Sequence, residues 1–203
     1  MADLKWAGSG AYEPEPTREM ILTDSTAHKS PTRREWTRNV NALQKLRDRA
    51  QKMAAEDWIE LWVAQASGKS TRDATLPDFP AEEIQLLTNN QSGDATMRAA
   101  SPFYRICLDQ MSRYGVNPAT EAMLDFGAGW GRIVRLLLRE FGPDSIFAVD
   151  VDERLVDAGR TLLAPVSFEL ITAGGRLPFK DGQFSFIISN SVFSHLDREL
   201  HLH

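Results

Sequence analysis

The stretch EAMLDFGAGWGRIVRLLLREFG, from Glu121 to Gly142, passes from an apolar start through three alternate glycines into a helical pattern. These glycines are Gly127, Gly129 and Gly131. None has the Cβ atom that would block a positive φ or the approach of a ligand. MLDF at 123–126 predicts a strand and 130–141 a helix, whose first N–H groups would form a positive end. The stretch therefore predicts a ligand-binding loop at the carboxyl end of a strand.

The rest of the chain after this loop continues the alternation of strands and helices. Strand patterns occur at 145–151, 167–173 and 184–190, and a helix pattern at 153–163. Strands that alternate with helices of about 10 residues specify parallel strands joined by right-handed crossovers. We therefore expect an α/β fold, a doubly wound parallel sheet of about four strands.

The chain before the sheet predicts two further parts. Residues 1–30 contain a Glu-Pro-Glu-Pro run and no sustained period, which is typical of a flexible arm. Residues 31–93 predict a helical extension and linker, with a long amphipathic helix from about 32 and a short helix at 81–88. The polar face of the long helix is rich in arginine and lysine, so it is either a solvated face or a surface for RNA or an acidic partner. The α/β domain would then occupy 94–203.

The helix that leads into the sheet has its own start and stop signals. Ser101 and Pro102 predict a cap and a first-turn residue, and Gly115 predicts the end after Tyr114. Cys107 lies in this helix between apolar neighbours, so we expect a packed thiol.

The composition excludes several function classes. The 203 residues carry 23 basic and 28 acidic side chains, a net charge of -5, which disfavours binding to nucleic acid or to anionic membranes. No window has the roughly 18 apolar residues of a membrane span, and the amino-terminal sequence lacks the apolar part of a secretory signal. We expect a cytoplasmic protein.

Charged residues near the glycines distinguish two classes of ligand. A dinucleotide fold requires glycine at 132, where this chain has Arg132, so a nicotinamide oxidoreductase is disfavoured. Asp125 is a poor neighbour for a pyrophosphate and a good one for an ammonium or sulfonium group. Asp150 ends the next strand, where a carboxylate can bind a ribose diol. The alternative for both acids is a role as strand-end cap or turn residue, and Asp152 is predicted to be a helix N-cap.

Two motifs resemble those of a known superfamily. LDFGAGWGR followed by Asp150 resembles the cofactor loop and ribose acid of class I S-adenosylmethionine-dependent methyltransferases, and LPFKDGQFSFIISNSVFSHL (177–196) resembles a later strand and loop of bacterial members. The resemblance covers about 95–203 and implies a Rossmann-like sheet with S-adenosylmethionine as cofactor. The implied cofactor-binding residues are Asp125, Gly127, Ala128, Gly129, Asp150, Val151 and Asn190.

The resemblance also implies a role for each position. Asp125 would face the methionine amino end with Asn190 nearby, the loop would line the cofactor backbone, and Asp150 would bind the ribose beside an adenine at Val151. Many members have an acid before the L-P-F turn, but this chain reads ITAGGRLPF, so adenine recognition would pass to main-chain groups near 173–174.

The expected function is methyl transfer to an unidentified small-molecule acceptor. Such a reaction depends mainly on alignment, and a base is needed only if the acceptor must lose a proton. His195 is the candidate base, with a packing role as the alternative. No metal site is expected. The other hypothesis is a weak or inactive cofactor-binding module that acts through the basic helix.

The number of strands is the main departure from the superfamily. Only four strands fit between Met123 and His203, whereas the superfamily has seven, so the sequence predicts a chain truncated at its carboxyl end. The fourth strand would then form an exposed sheet edge. We expect a homo-oligomer or a completing chain at that edge.

Overall fold

The computed structural model describes residues 33–68, 73 and 75–192. Within these ranges six helices precede, connect or flank four strands. In chain order they are α1 (Arg33–Ala50), α2 (Ala55–Ser67), α3 (Glu82–Asn89), α4 (Gly93–Tyr114), β1 (Met123–Phe126), α5 (Arg132–Leu137), β2 (Ile146–Asp150), α6 (Glu153–Leu163), β3 (Ser167–Leu170) and β4 (Phe186–Ile188).

The four strands form one parallel sheet in the order β3-β2-β1-β4. The chain builds the sheet outward from β1 to β3 and then returns to place β4 on the other side of β1. Parallel α/β sheets bind ligands at such a switch point, outside the carboxyl ends of the strands. The predicted α/β fold with a doubly wound parallel sheet is confirmed.

The sheet edge formed by β4 also agrees with the prediction. In the described part of the chain, β4 pairs with β1 and has no neighbour on its other side. Ile188 is 5% exposed and faces the core, whereas Ile187 is 61% exposed. The alternation of strand side chains thus leaves one apolar residue of β4 uncovered.

The amino-terminal helices pack behind the glycine loop and share its hydrophobic core. Trp58 and Trp62 of α2 are fully buried, and Trp58 Nε1 donates a 2.8 Å hydrogen bond to the carbonyl of Leu136 in α5. Tyr104 of α4 is buried as well, and its hydroxyl donates to Glu140 at 2.8 Å. The helical extension is therefore joined to the sheet by specific contacts.

Arg135 lies at the centre of this junction. Its side chain is fully buried, and its guanidinium lies 4.7 Å from the ring of Phe79, 5.2 Å from Trp130 and 5.3 Å from Trp62. It donates a 2.8 Å hydrogen bond to the Asp78 carbonyl. Burial lowers the pKa of Arg135 to about 9. A second bond, of 3.2 Å, goes to the Pro77 carbonyl. Three aromatic faces and two carbonyls thus replace the water that a guanidinium normally requires.

The basic face of α1 takes part in the fold as well. Arg47 donates to the carbonyl of Glu140 at 3.0 Å, and Arg49 forms an ion pair with Asp73 at 2.6 Å and a hydrogen bond to Thr75. These two arginines hold α1 against neighbouring segments, whereas Lys45 and Lys52 of the same basic face are exposed. None of the helices in the described ranges is long and apolar enough to cross a membrane.

Two helix boundaries differ from the prediction. The helix expected to start at Ser101 and Pro102 begins at Gly93, so both residues lie inside α4. Pro102 has no N–H for the carbonyl of Arg98, and the Ser101 hydroxyl donates to that carbonyl at 2.9 Å instead. The helix expected at 130–141 is only six residues long, so its dipole contributes little to the loop before it.

Candidate cofactor-binding site

The glycine loop connects β1 to α5 by a sharp turn. Gly127, Gly129 and Gly131 have φ values of +76°, +58° and +84°, which are left-handed conformations that favour glycine. The N–H groups of Gly127 and Ala128 both donate to the carbonyl of Val149 in β2, at 2.9 and 3.0 Å. These bonds hold the loop at the carboxyl ends of the two central strands.

Close packing gives the glycines a second reason to lack a Cβ atom. A Cβ on Gly127 would lie 2.1 Å from a methyl group of Val192, and one on Gly129 would lie 2.5 Å from a methyl group of Thr88. A Cβ on Gly131 would lie 2.5 Å from Leu163. The first two glycines line a cavity, whereas Gly131 packs against α6 and is not part of the cavity wall.

Asp150 fixes the shape of the loop. Its Oδ2 accepts a 2.8 Å hydrogen bond from the N–H of Gly129, and its Oδ1 accepts a 3.0 Å bond from the N–H of Asp152. Asp150 therefore has the role of strand-end turn residue that the sequence offered as an alternative. Each carboxylate oxygen can accept more than one bond, so this role is compatible with ligand binding. Asp152 accepts from the N–H of Arg154 and is the predicted N-cap of α6.

A cavity of about 610 Å³ opens beside the loop at the carboxyl ends of β1, β2 and β4. Its volume is within the range of small-molecule sites. All seven residues predicted to bind the cofactor line it: Asp125, Gly127, Ala128, Gly129, Asp150, Val151 and Asn190. Ala173 and Gly174, which were expected near the adenine, also line it. His195 lies outside the described residues.

Asp125 presents a buried carboxyl group to this cavity. Its side chain is 1% exposed, and Oδ2 has no hydrogen-bond partner among the residues that the structure describes. The pKa of Asp125 is raised to about 7, mainly by burial; Arg132 opposes the rise and Asp150 adds to it. A buried acceptor without a partner is unusual in a folded protein and is a candidate ligand contact.

Arg132 provides the opposite charge on the same cavity wall. Its side chain is 9% exposed and donates one hydrogen bond, of 3.3 Å, to the carbonyl of Thr96 in α4. Burial lowers the pKa of Arg132, and the carboxyl group of Asp125 counteracts this effect. In the sequence, Arg132 stands where a dinucleotide fold has glycine, and no motif marks it as a ligand-binding residue.

The end of α3 forms a wall of the cavity that the sequence did not predict. Leu87, Thr88 and Asn89 line the cavity, although they belong to the segment assigned as extension and linker. Gln85 holds this end in place, since its Oε1 accepts from the N–H of Gly93 at 3.0 Å and its Nε2 donates to the Pro80 carbonyl at 2.8 Å. No motif marks these positions in the sequence, because only the packing of α3 brings them to the loop.

Comparison with known families shows a similarity in the α/β region. Residues 123–202 match the family model described as a methyltransferase domain. This part of the chain is therefore similar to methyltransferase domains. The match to the methyltransferase domain begins at β1, so the helices α1 to α4 lie before it.

Individual methyltransferases share limited identity with this chain. Ribosomal protein L11 methyltransferase from Burkholderia vietnamiensis (strain G4 / LMG 22486) is 25% identical over 151 residues, 70% of this chain and 47% of the relative. The chain thus spans about half the length of the curated relative that it matches.

Three solved structures are also similar to parts of the chain. The YcgJ protein from Bacillus subtilis is 24% identical with a TM-score of 0.34, covering 42% of this chain and 37% of that one. Magnesium protoporphyrin IX methyltransferase from Synechocystis PCC 6803, with bound S-adenosylmethionine, is 14% identical with a TM-score of 0.40, covering 78% and 65%. Geranyl diphosphate C-methyltransferase from Streptomyces coelicolor A3(2) is 16% identical with a TM-score of 0.35, covering 69% and 56%.

Proposed function

We propose that the protein binds S-adenosylmethionine in the cavity beside the glycine loop and transfers its methyl group to a small-molecule acceptor. The observation that carries this proposal is the unpartnered, buried Oδ2 of Asp125 at the wall of that cavity. A carboxylate that is removed from water needs a cation or hydrogen-bond donors. The α-ammonium group of S-adenosylmethionine would supply both.

The rest of the cavity supports the same ligand. The turn at Gly127–Gly129 leaves room for a ligand against the main chain. Asp150 would accept hydrogen bonds from the ribose hydroxyls while it holds the N–H of Gly129. Val151 is 58% exposed beside the cavity and would pack against the adenine.

The chemistry of methyl transfer requires few protein groups. The bound cofactor supplies a methyl group that is already activated by a sulfonium leaving group. The protein would align the acceptor with that methyl group and exclude water. Asn190, which follows β4 and lines the cavity, would hold the methionine end in place. His195 is the proposed base for an acceptor that must lose a proton.

The nature of the acceptor is part of the proposal. A cavity of about 610 Å³ is suited to a cofactor together with a small acceptor, and the end of α3 would bound the acceptor side. The curated relative is named for a ribosomal protein, so a protein acceptor is the competing outcome.

Calorimetric titration tests the cofactor. The purified chain is expected to bind S-adenosylmethionine and S-adenosylhomocysteine saturably and not to bind NAD. The Asp150→Ala variant should lose this binding, whereas Asp157→Ala, which changes a carboxylate on α6 outside the cavity, should keep it. A folded wild-type protein that binds neither sulfur ligand would contradict the proposal.

Turnover tests the acceptor and the base. Transfer of a radiolabelled methyl group would be measured with a panel of small molecules and, separately, with ribosomal proteins. Labelling of small molecules is expected, and labelling of ribosomal proteins alone would overturn the acceptor class. A near-normal turnover number for His195→Ala would remove the proposed base.

A further inference from the structure

Two opposite charges line the cavity without contacting each other. Asp125 at the end of β1 and Arg132 at the start of α5 are both buried cavity residues. They influence each other's ionisation, but no ion pair joins them among those of the described residues. Removing two charges from water is unfavourable unless close partners replace the water. Here neither charge is the other's close partner.

The described part of the chain offers few hydrogen bonds to either group. The guanidinium of Arg132 has five N–H donors, and the structure gives it one bond, at the long distance of 3.3 Å, to the Thr96 carbonyl. Oδ2 of Asp125 accepts no hydrogen bond from residues 33–68, 73 or 75–192. Arg135 of the same helix differs, because three aromatic rings surround it and its bond to the Asp78 carbonyl is 2.8 Å. The rings enclose Arg135, whose Nε also has no hydrogen-bond partner in the described part of the chain, whereas Arg132 borders the cavity, where a ligand can reach its donors.

An α-amino acid zwitterion supplies an opposite charge to each member of this pair. Its ammonium group would fill the place beside Asp125, and its carboxylate could accept two parallel bonds from a guanidinium. On the basis of the proposed function, we propose that Arg132 binds the α-carboxylate of the methionyl part of S-adenosylmethionine while Asp125 binds its α-ammonium group. Arg132 is then a cofactor-binding residue, and the cavity recognises the whole amino-acid end.

The inference predicts a ligand preference in the unmodified protein. Decarboxylated S-adenosylmethionine keeps the adenosine, the sulfonium and the amine but lacks the carboxylate. The wild-type protein should bind it about 10- to 100-fold more weakly than S-adenosylmethionine, which corresponds to charged hydrogen bonds. Equal affinity for the two ligands would overturn the inference and leave the proposed function intact. No binding of either ligand would instead contradict the proposed function.

Variants then assign the preference to Arg132. Arg132→Leu should lose affinity for S-adenosylmethionine by a similar factor and bind the decarboxylated ligand as the wild type does, so that the preference disappears. Arg132→Lys should keep part of the preference, since lysine keeps the positive charge but cannot form the bidentate pair of hydrogen bonds with a carboxylate. Arg154→Leu, which removes an exposed guanidinium of α6, is the matched control and should change nothing.

Two outcomes with the variants would overturn the assignment. If Arg132→Leu weakens binding of both ligands equally, the residue supports the cavity and does not bind the carboxylate. If the Arg132→Lys and Arg132→Gln variants both fold and both keep the full preference for S-adenosylmethionine over its decarboxylated form, another residue binds the carboxylate. Thermal melting of each variant separates loss of binding from loss of folding.

Discussion

Replacement of Asp125 by asparagine is expected to make the protein more stable and its cofactor binding weaker. The substitution keeps the shape of the side chain and removes its ability to ionise. The carboxyl group is 1% exposed with an unpartnered oxygen, so ionising it in the folded protein is unfavourable. In the unfolded chain the same group ionises freely.

The size of the effect follows from the pKa of Asp125. This pKa is about 7 in the folded protein against 3.8 for an unperturbed aspartate, and burial is the largest cause. Because the folded-state value is raised, the group's contribution to stability is fully present below pH 3.8 and is lost as the pH rises through 7. The difference of about three pKa units corresponds to about 4 kcal/mol at pH 8. About 2.5 kcal/mol of this develops between pH 5 and pH 8.

Urea unfolding of both proteins at several pH values measures this effect. Other titrating groups are common to wild type and variant, so the difference between the two free energies of unfolding isolates Asp125. We expect the advantage of Asp125→Asn to increase by about 2.5 kcal/mol from pH 5 to pH 8. Arg132, Asp150 and Cys107 are the ionisable groups coupled to this carboxyl, and all three are unchanged in the variant.

Cofactor binding should depend on the same ionisation, but in the opposite direction: ionisation of Asp125 lowers the stability of the protein and raises its affinity for the cofactor. Only the ionised carboxylate attracts an ammonium group, and its fraction rises from about 9% at pH 6 to about 91% at pH 8 for a pKa of 7. Affinity of the wild type for S-adenosylhomocysteine should therefore increase about tenfold over this range. Asp125→Asn should bind weakly at both values. A stability difference that does not vary with pH, or an affinity that falls as pH rises, would refute the account of Asp125.

Three further predictions concern the loop and its support. Gly127→Ala should lower the free energy of unfolding by about 2 kcal/mol or more in a denaturation assay, since it combines a left-handed φ with a clash against Val192. Gly182 has a similar φ but open space around it, so Gly182→Ala should lower the free energy of unfolding by only about 1 kcal/mol. Asp150→Asn should reduce affinity for S-adenosylhomocysteine at least about tenfold by calorimetry, because it weakens the hold on the loop and the proposed ribose contact. Arg135→Ala should cost about 3 kcal/mol of stability by urea unfolding, since it empties the space between three aromatic rings, and an unchanged midpoint would contradict its supporting role.

Several features of the fold could be predicted from local sequence. Alternate glycines after an apolar strand have few uses other than a sharp turn, and Asp152 before a helical pattern is a standard N-cap. The strand and helix alternation was sufficient for the parallel sheet, because crossovers in such sheets have one hand. The residues near the loop, from Asp125 to Asp150, were found because the ends of neighbouring parallel strands meet at one sheet edge.

The helix boundaries show where local signals were not sufficient. Ser101 and Pro102 have the sequence of a helix start, but the Ser101 hydroxyl satisfies the carbonyl that Pro102 leaves without a donor, and α4 continues through both. The start of α4 at Gly93 is set by Gln85, whose side chain accepts from the Gly93 N–H. A contact between two helices thus outweighed a local capping pattern.

The sequence by itself determined the class of fold, the position of the loop and the acids at the strand ends, because those depend on periodicity and on neighbours in the chain. Only the tertiary structure brought Thr88 against Gly129 and placed the end of α3 on the cavity wall. It also gave Arg132 and Arg135, three residues apart on α5, different surroundings: one lines the cavity and the other lies among aromatic rings. Such differences depend on which segments pack around each side chain, and burial, which sets their pKa values, exists only once those segments are in place.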